Sequence, residues 1–281
     1  MIGLCRDKQE LLAFVDTYIR AGGLLTRTPE QLRLELKSCL SHPDDFVLGV
    51  WEDGVLRGVF PVFSEPEERY LELLAALSGE ETVCMAVLDR LQQTHDGFSL
   101  DCVLHPEQAP MRSALRRAGA AFEPVQRMLR LQRFSPALPD QRVSRLNPEH
   151  QEEYRALHNR DCYWTANRIL QQPELFSVFI ALKEGTVCGY LDCTHHRAEN
   201  EIYDLFVRED CRRTGLGRAL LAAALRENAP AGMIALTEEG SPAEALFRTA
   251  GFTDEENGRS ITAHLKLKAA STAFSSDGWE E

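Results

Sequence analysis

Ile202-Tyr203-Asp204-Leu205-Phe206-Val207 is followed, after a short turn, by Arg212-Arg213-Thr214-Gly215-Leu216-Gly217-Arg218 and then by the helix-forming run Ala219–Asn228. The first six residues favour extended backbone and read as a strand. Leu216, Leu220, Leu221 and Leu225 recur at helical spacing and read as an apolar stripe. A strand that turns through glycines into a helix is a building unit of α/β folds. The same turn presents unpaired backbone N–H groups and the positive end of the helix dipole, so it is predicted to hold an anion. Gly215 and Gly217 are read as letting a phosphate approach without meeting a Cβ, and Arg212, Arg213 and Arg218 add charge suited to several phosphates.

Working outward, two landmarks recur. Trp51-Glu52-Asp53-Gly54-Val55-Leu56-Arg57-Gly58 reads as a hairpin between β-prone runs, as does Leu182-Lys183-Glu184-Gly185-Thr186-Val187-Cys188-Gly189. Gly54 and Gly185 are 131 positions apart. Leu115-Arg116-Arg117-Ala118-Gly119 matches Phe247-Arg248-Thr249-Ala250-Gly251 at an offset of 132, each a helix ending at a glycine suited to a left-handed cap and followed by a strand. In the second copy that strand alternates, with Ile261, Ala263, Leu265 and Leu267 apolar. Two landmarks at one spacing predict a duplicated domain. The expected division is 1–134, a Pro-punctuated linker at 135–140, a second domain at 141–269 and a disordered tail at 270–281.

The loop does not fit a Walker motif, because no Lys-Ser/Thr pair follows the glycines, and Leu220 stands where a dinucleotide fingerprint needs its third glycine. Arg-x-x-Gly-x-Gly after a strand resembles the acetyl-CoA pyrophosphate loop of the GNAT superfamily of N-acetyltransferases. Ala243–Phe252, a helix ending in Gly-Phe after the strand Met233–Thr237, resembles the second signature of that family. The resemblance covers about residues 141–268. It implies an α/β fold, here two tandem domains each with a mixed α+β sheet flanked by helices, and acetyl-CoA as co-substrate. It further implies that backbone groups of Leu205, Phe206 and Val207 pair with the pantetheine arm, that the backbone from Arg212 through Arg213, Thr214, Gly215, Leu216 and Gly217 to Arg218 holds the pyrophosphate, and that Phe247 lies beside the cofactor thiol.

Acetyl transfer needs a neutral amine, so a base must remove a proton from an ammonium. Glu201, six residues before Val207, matches the base position of related enzymes; Asp204 is the second candidate and Glu199 could assist. Strict alternation puts 201 and 204 on opposite faces, unless a bulge intervenes. Phe247 stands where such enzymes often carry a tyrosine that protonates the departing thiolate, so either Tyr203 or a water takes that role or the thiolate leaves unprotonated. Tyr163-Trp164 is expected to line the acceptor site, or else to be core. Adjacent His195 and His196 are expected to face opposite ways, with no partner spacing for a metal. In the first copy the corresponding turn reads Ser78-Gly79-Glu80-Glu81, with Val83 and Met85 in place of the glycines, so that copy is expected to keep the fold without the cofactor. Its expected uses are to pack against the second domain and wall the acceptor site.

Composition narrows the partners. A net charge of −12 argues against nucleic acid, 44% hydrophobic with 26% charged residues suits a soluble globular chain, and no apolar run approaches a membrane span. Eight scattered cysteines without a CxxC pair, and an N-terminus without a signal pattern, predict reduced thiols in the cytoplasm. The expected function is N-acetyl transfer from acetyl-CoA to a primary amine of a small molecule. A non-catalytic acyl-CoA-binding module and a protein-lysine acetyltransferase stand as alternatives.

Overall fold

The computed structural model describes residues 1–133, 138–160 and 162–268. These form two compact units.

The first unit, Met1–Val125 with the described residues from Arg259 onward, contains β1 (Ile2–Leu4), α1 (Lys8–Arg20), α2 (Pro29–Cys39), β2 (Phe46–Glu52), β3 (Val55–Glu65), β4 (Tyr70–Leu73), α3 (Glu81–Thr94), β5 (Ser99–Leu104), α4 (Ala109–Arg117) and β6 (Ala121–Phe122). The second, Gln126–Gly258, contains β7 (Gln126–Leu131), β8 (Val143–Arg145), α5 (Gln151–Leu157), α6 (Ala166–Leu170), β9 (Phe176–Lys183), β10 (Thr186–Thr194), β11 (Glu199–Val207), α7 (Leu216–Asn228), β12 (Gly232–Glu238), α8 (Pro242–Thr249) and the start of β13 (Phe252–Lys266). Each unit is a mixed α/β layer structure, with a sheet covered by helices on both faces.

The repeat is present in the local chemistry. Asp53 and Gly54 join β2 to β3, and Glu184 and Gly185 join β9 to β10, all four at positive φ as a tight two-residue hairpin demands. Gly119 and Gly251 follow α4 and α8 at φ 84° and 100°. At Gly251 a Cβ would also collide with the carbonyl of Arg133.

The last strands differ from the sequence expectation of a self-contained pair. The alternating residues of β13 are buried as expected, but Ile261–Lys266 pairs antiparallel with β5 and its Ala263 and His264 with β6, so Ile261, Ala263 and Leu265 join the core under α3 and α4. Conversely β7, the first copy's final strand, pairs antiparallel with β12, and Leu129 enters the core under α7 and α8. The two copies thus exchange their terminal strands. Alternation dictates that a strand buries one face, not which sheet receives it. The compact units therefore divide the chain differently from the expected 1–134 and 141–269. Half of the expected linker 135–140 (135–137) and the tail 270–281 lie outside the described residues.

In the second unit the sheet separates two apolar layers. Beneath α7 and α8 lie Leu191, Cys193, Ile202, Leu216, Leu220 and Phe247; on the opposite face α5 and α6 cover Ile180, Tyr190, Tyr203 and Phe206.

Candidate functional site

β11 carries the expected strand, and its pairing decides the site. It runs parallel to β12 only from Glu199–Gly232 to Ile202–Ala235. Beyond Ile202 it stays paired with β10, while β12 continues beside β7, so Tyr203–Val207 and Leu236–Glu238 part from one another. Backbone groups on the parted edges have no ladder partner across the gap, which makes the gap a place for an extended polar arm. Leu236, 46% exposed on the open part of β12, offers such an arm apolar cover.

Strand geometry sorts the three residues assigned to that arm. The Phe206 carbonyl points toward Gly189 of β10, and Arg208 N–H donates to the Cys188 carbonyl at 2.8 Å. With a period of two, Leu205 and Val207 therefore turn their backbone groups to the gap, while Phe206 is committed to β10. The Val207 carbonyl is already held by Arg212 Nε at 3.0 Å.

Past Val207 the chain makes a short 3-10 turn, Glu209–Cys211, and reaches α7 through Arg213 at φ 64° and Gly215 at φ 88°. Only glycine adopts the latter without strain. Among the described residues no side chain caps α7, which leaves the N–H groups of Leu216, Gly217 and Arg218 at the dipole's positive pole. Arg212, Arg213, Thr214 and Arg218 are exposed around them. Thr214 Oγ1 instead donates back to the Cys211 carbonyl at 2.6 Å. The turn thus places main-chain N–H groups and exposed arginines side by side at one helix end. The role of Gly217 differs from the sequence expectation: a Cβ there would sit 3.3 Å from Leu246 of α8 and 3.9 Å from Leu205 and Val207, so this glycine lets α7 approach α8 and β11.

The carboxylates are brought together by a bulge. β10 and β11 slip register between Asp192/Asp204 and Cys193/Ile202, which leaves Tyr203 as the extra residue. Ile202 and Leu205 face the α7 layer, whereas Tyr203 and Phe206 both face the α5 layer. Glu201 and Asp204 consequently share the α5 face rather than lying on opposite faces. Glu201 is half-buried, and burial raises its pKa above the ordinary range despite Arg197 nearby. Its backbone N–H is tied to Thr194 Oγ1 at 2.8 Å. Asp204 accepts from Tyr190 Oη at 2.6 Å. Glu199, the assisting candidate, is paired with Arg130.

Tyr203 Oη accepts the Trp164 backbone N–H at 3.1 Å, and the same hydroxyl is hydrogen-bonded to the Cys162 side chain. Burial raises its pKa, which keeps it protonated near neutrality. The Trp164 ring lies 4.9 Å from Phe176, and Phe176 is 6.4 Å from Tyr203, which makes an aromatic wall on the carboxylate face. Tyr163 stands outside it, 71% exposed, with Arg168 over its ring at 4.7 Å. Phe247 is 3% exposed in the α7 layer, 5.4 Å from Phe252, and so packs as core rather than against a ligand.

The first copy's turn holds Glu80 and Glu81 at the start of α3, where they pair with Arg57 and Arg117. A carboxylate in the first turn occupies the dipole that an anionic ligand would use. A cavity of about 820 Å³ in that unit, lined by Cys5, Lys37, His42, Asp45 and His95 among others, involves none of the residues above. His195 and His196 do not face opposite ways. His196 turns at φ 59° and the rings lie 4.0 Å apart, with His195 bonded to Ser177 Oγ and the Pro173 carbonyl. Among the described residues no three His, Cys, Asp or Glu side chains are grouped to hold a metal, and no helix is long and apolar enough to cross a membrane.

What sequence reasoning missed lies beneath Asp204, where Tyr154, His158, Tyr190 and Asp192 are buried and hydrogen-bonded. Their pairing spans up to 38 residues of sequence and carries no local motif.

Residues 143–252 match the acetyltransferase (GNAT) family. No curated relative matches the chain. Among solved structures, a GCN5-related N-acetyltransferase from Sphaerobacter thermophilus is similar at 12% identity, with 95% of this chain and 96% of that chain covered and a TM-score of 0.62. A tandem GNAT protein from the clavulanic acid biosynthesis pathway is similar at 15% identity, covering 95% and 99% of the two chains with a TM-score of 0.52. A functionally unknown conserved protein from Staphylococcus epidermidis ATCC 12228 is similar at 12% identity over 78% and 94%, with a TM-score of 0.54. Residues 143–252 are thus similar to the GNAT acetyltransferase family, and the chain shares its fold with these solved structures, a tandem GNAT protein among them.

Proposed function

We propose that the chain is an N-acetyltransferase that moves the acetyl group of acetyl-CoA to a primary amine of a small molecule, with one active site in the second unit. The observation that carries it is the parting of β11 from β12 beside the uncapped α7. An extended pantetheine arm fits the gap, and its pyrophosphate fits the N–H groups of Arg213–Arg218. The residues present suit that cofactor: a positive-φ glycine turn, helix N–H groups that no described side chain caps and three exposed arginines.

The amine lone pair attacks the thioester carbonyl, a C–N bond forms and the C–S bond breaks. Glu201 takes the proton from the ammonium. Its raised pKa brings a carboxylate closer to the range in which it can exchange a proton near neutrality. Tyr203, a protonated hydroxyl on the carboxylate face, protonates the departing thiolate in place of the buried Phe247. Asp204 and the Trp164 wall face the acceptor. The eight cysteines are all free thiols, in keeping with a cytoplasmic setting.

The burial of Phe247 also supports a second reading, an acyl-CoA-binding module without turnover. Calorimetry with CoA and acetyl-CoA, followed by thiol release over a panel of small primary amines and a lysine peptide, separates the possibilities. Amine-dependent thiol release confirms the transferase. Binding without release on any amine establishes the binding module, release on the peptide alone marks a protein acetyltransferase, and no binding refutes the cofactor assignment.

A further inference from the structure

The buried polar set on the α5 face has no part in the transfer steps above, yet its hydrogen bonds fix its charge. Tyr154 Oη donates to Asp192 Oδ1 at 3.0 Å, and His158 Nε2 lies 2.9 Å from Asp192 Oδ2. The second ring nitrogen, Nδ1, lies 2.8 Å from the Asn159 carbonyl oxygen. A carbonyl oxygen can only accept, so Nδ1 carries a hydrogen. Nε2 then either donates to an ionised Asp192 or accepts from a protonated one. Burial pushes the Asp192 carboxyl up to about 6, and the hydrogen bonds with His158 and Tyr154 pull it back toward the ionised form, which prevails at neutral pH. The imidazole also lies flat on the Tyr190 ring, 5.0 Å away at 15°, and edge-on to Tyr154 at 5.3 Å, aromatic neighbours that suit a cation. Burial opposes the charge on His158, but Asp192 and the Asn159 carbonyl outweigh it and raise its pKa.

Asp192 and Asp204 are direct cross-strand partners on β10 and β11, so their side chains leave the sheet on one face within about 5.5 Å at Cβ. Two carboxylates that close resist being charged together unless a cation stands by. The groups facing Asp192 are Tyr154 from α5, His158 from the segment after it, and Tyr190 and Asp204 from the strands; Cys162 and Tyr203 border Asp204. His158 is the group among these that can hold a positive charge.

We propose that His158 is held as an imidazolium by Asp192 and the Asn159 carbonyl, and that it offsets the charge of Asp192 so that Asp204, held by Tyr190, is the carboxylate that faces the ammonium form of the acceptor. His158 and Asp192 are positioning residues that act through Tyr190 and Asp204. The acceptor half of this assignment rests on the transferase reading; the charge state does not.

Two measurements test it. In ¹⁵N-labelled wild-type protein the ring of His158, recognised by its contacts with the Tyr154 and Tyr190 rings, should show two protonated nitrogens across the neutral range. One bare nitrogen there would overturn the assignment whether or not the chain acetylates anything. In kinetics, His158→Gln keeps an amide donor and removes the cation. It should raise KM for the amine by about tenfold and move the acid limb of kcat/KM upward by about one pH unit, leaving KM for acetyl-CoA unchanged. The double variant His158→Gln/Asp192→Asn removes both charges and should restore the wild-type amine KM and profile. An unmoved profile in the single variant, or no restoration in the double, refutes the positioning role. If no amine reacts in the wild type, the transferase fails and the nuclear magnetic resonance result alone decides the imidazolium.

Discussion

Arg218→Glu should have opposite effects on the fold and on cofactor binding. Arg218 is the third residue of α7, exposed, and forms no ion pair among the described residues. A glutamate in an uncapped first turn meets the positive end of the dipole, so the variant should be more stable by about 0.3–1 kcal/mol. Taken at one physiological Debye length, about 8 Å, a bound pyrophosphate would feel a change of two charge units. At the dielectric of water each unit pair there is worth about 0.5 kcal/mol, or about 2 kcal/mol for two charges on the ligand. Ions screen this to about 0.7 kcal/mol at physiological salt, roughly a threefold weaker Kd, and to about 1.5 kcal/mol at 0.01 M, roughly a fifteenfold weaker one. Calorimetric titration of CoA at the two salt concentrations, beside a thermal scan, reads both effects. A Kd that does not change with the substitution at low salt would refute pyrophosphate binding at α7. A large fall in Tm would show instead that Arg218 holds the fold.

Glu201→Gln should lower kcat/KM by about 10²- to 10⁴-fold while CoA binding persists. Burial raises the pKa of Glu201, so its contribution favours the fold while it is protonated and is lost as pH rises through the raised value. A neutral glutamine escapes that loss; above that pH the variant should be at least as stable as wild type, and lower stability there contradicts the burial argument. Gly119→Ala, at φ 84° with open space around it, should cost about 1 kcal/mol. Gly251→Ala adds a collision with the Arg133 carbonyl and should cost about 3 kcal/mol or more, so equal losses in a denaturant titration would be inconsistent with the close approach. Tyr154→Phe removes a donor from a fully buried carboxylate and should cost about 1–3 kcal/mol at neutral pH, easing as acid protonates Asp192; a pH-independent loss would point to packing alone.

The parts of the fold legible in the sequence are those set by near neighbours. Asp53-Gly54 and Glu184-Gly185 specify their own turns, and Gly119 and Gly251 their own caps, because the required backbone belongs to the residues themselves. The turn at Arg212–Arg218, with Gly215 at positive φ before α7, was legible for the same reason. What escaped depends on partners distant in sequence. The faces of Glu201 and Asp204 follow from a slip against β10, and the inward face of Gly217 from where α8 lies. The Asp192–His158 pair joins residues 34 apart. The destination of β13 is of this kind too: its alternation is equally content in either sheet.

That exchange of strands has a consequence for how the chain is made. A nascent chain usually folds domain by domain from its N-terminus, at about 5–20 residues per second. Here β5 must wait for Ile261–Lys266 to be synthesised before its second edge is closed. Between the emergence of β7 and that of β13 lie about 130 residues, or about 6–26 s of translation. During that interval Leu100, Cys102 and Leu104 belong to a sheet with an open edge, and β7 itself has no β12 to join. Both halves mature together, late, and a cut between them would leave neither with its full complement of strands.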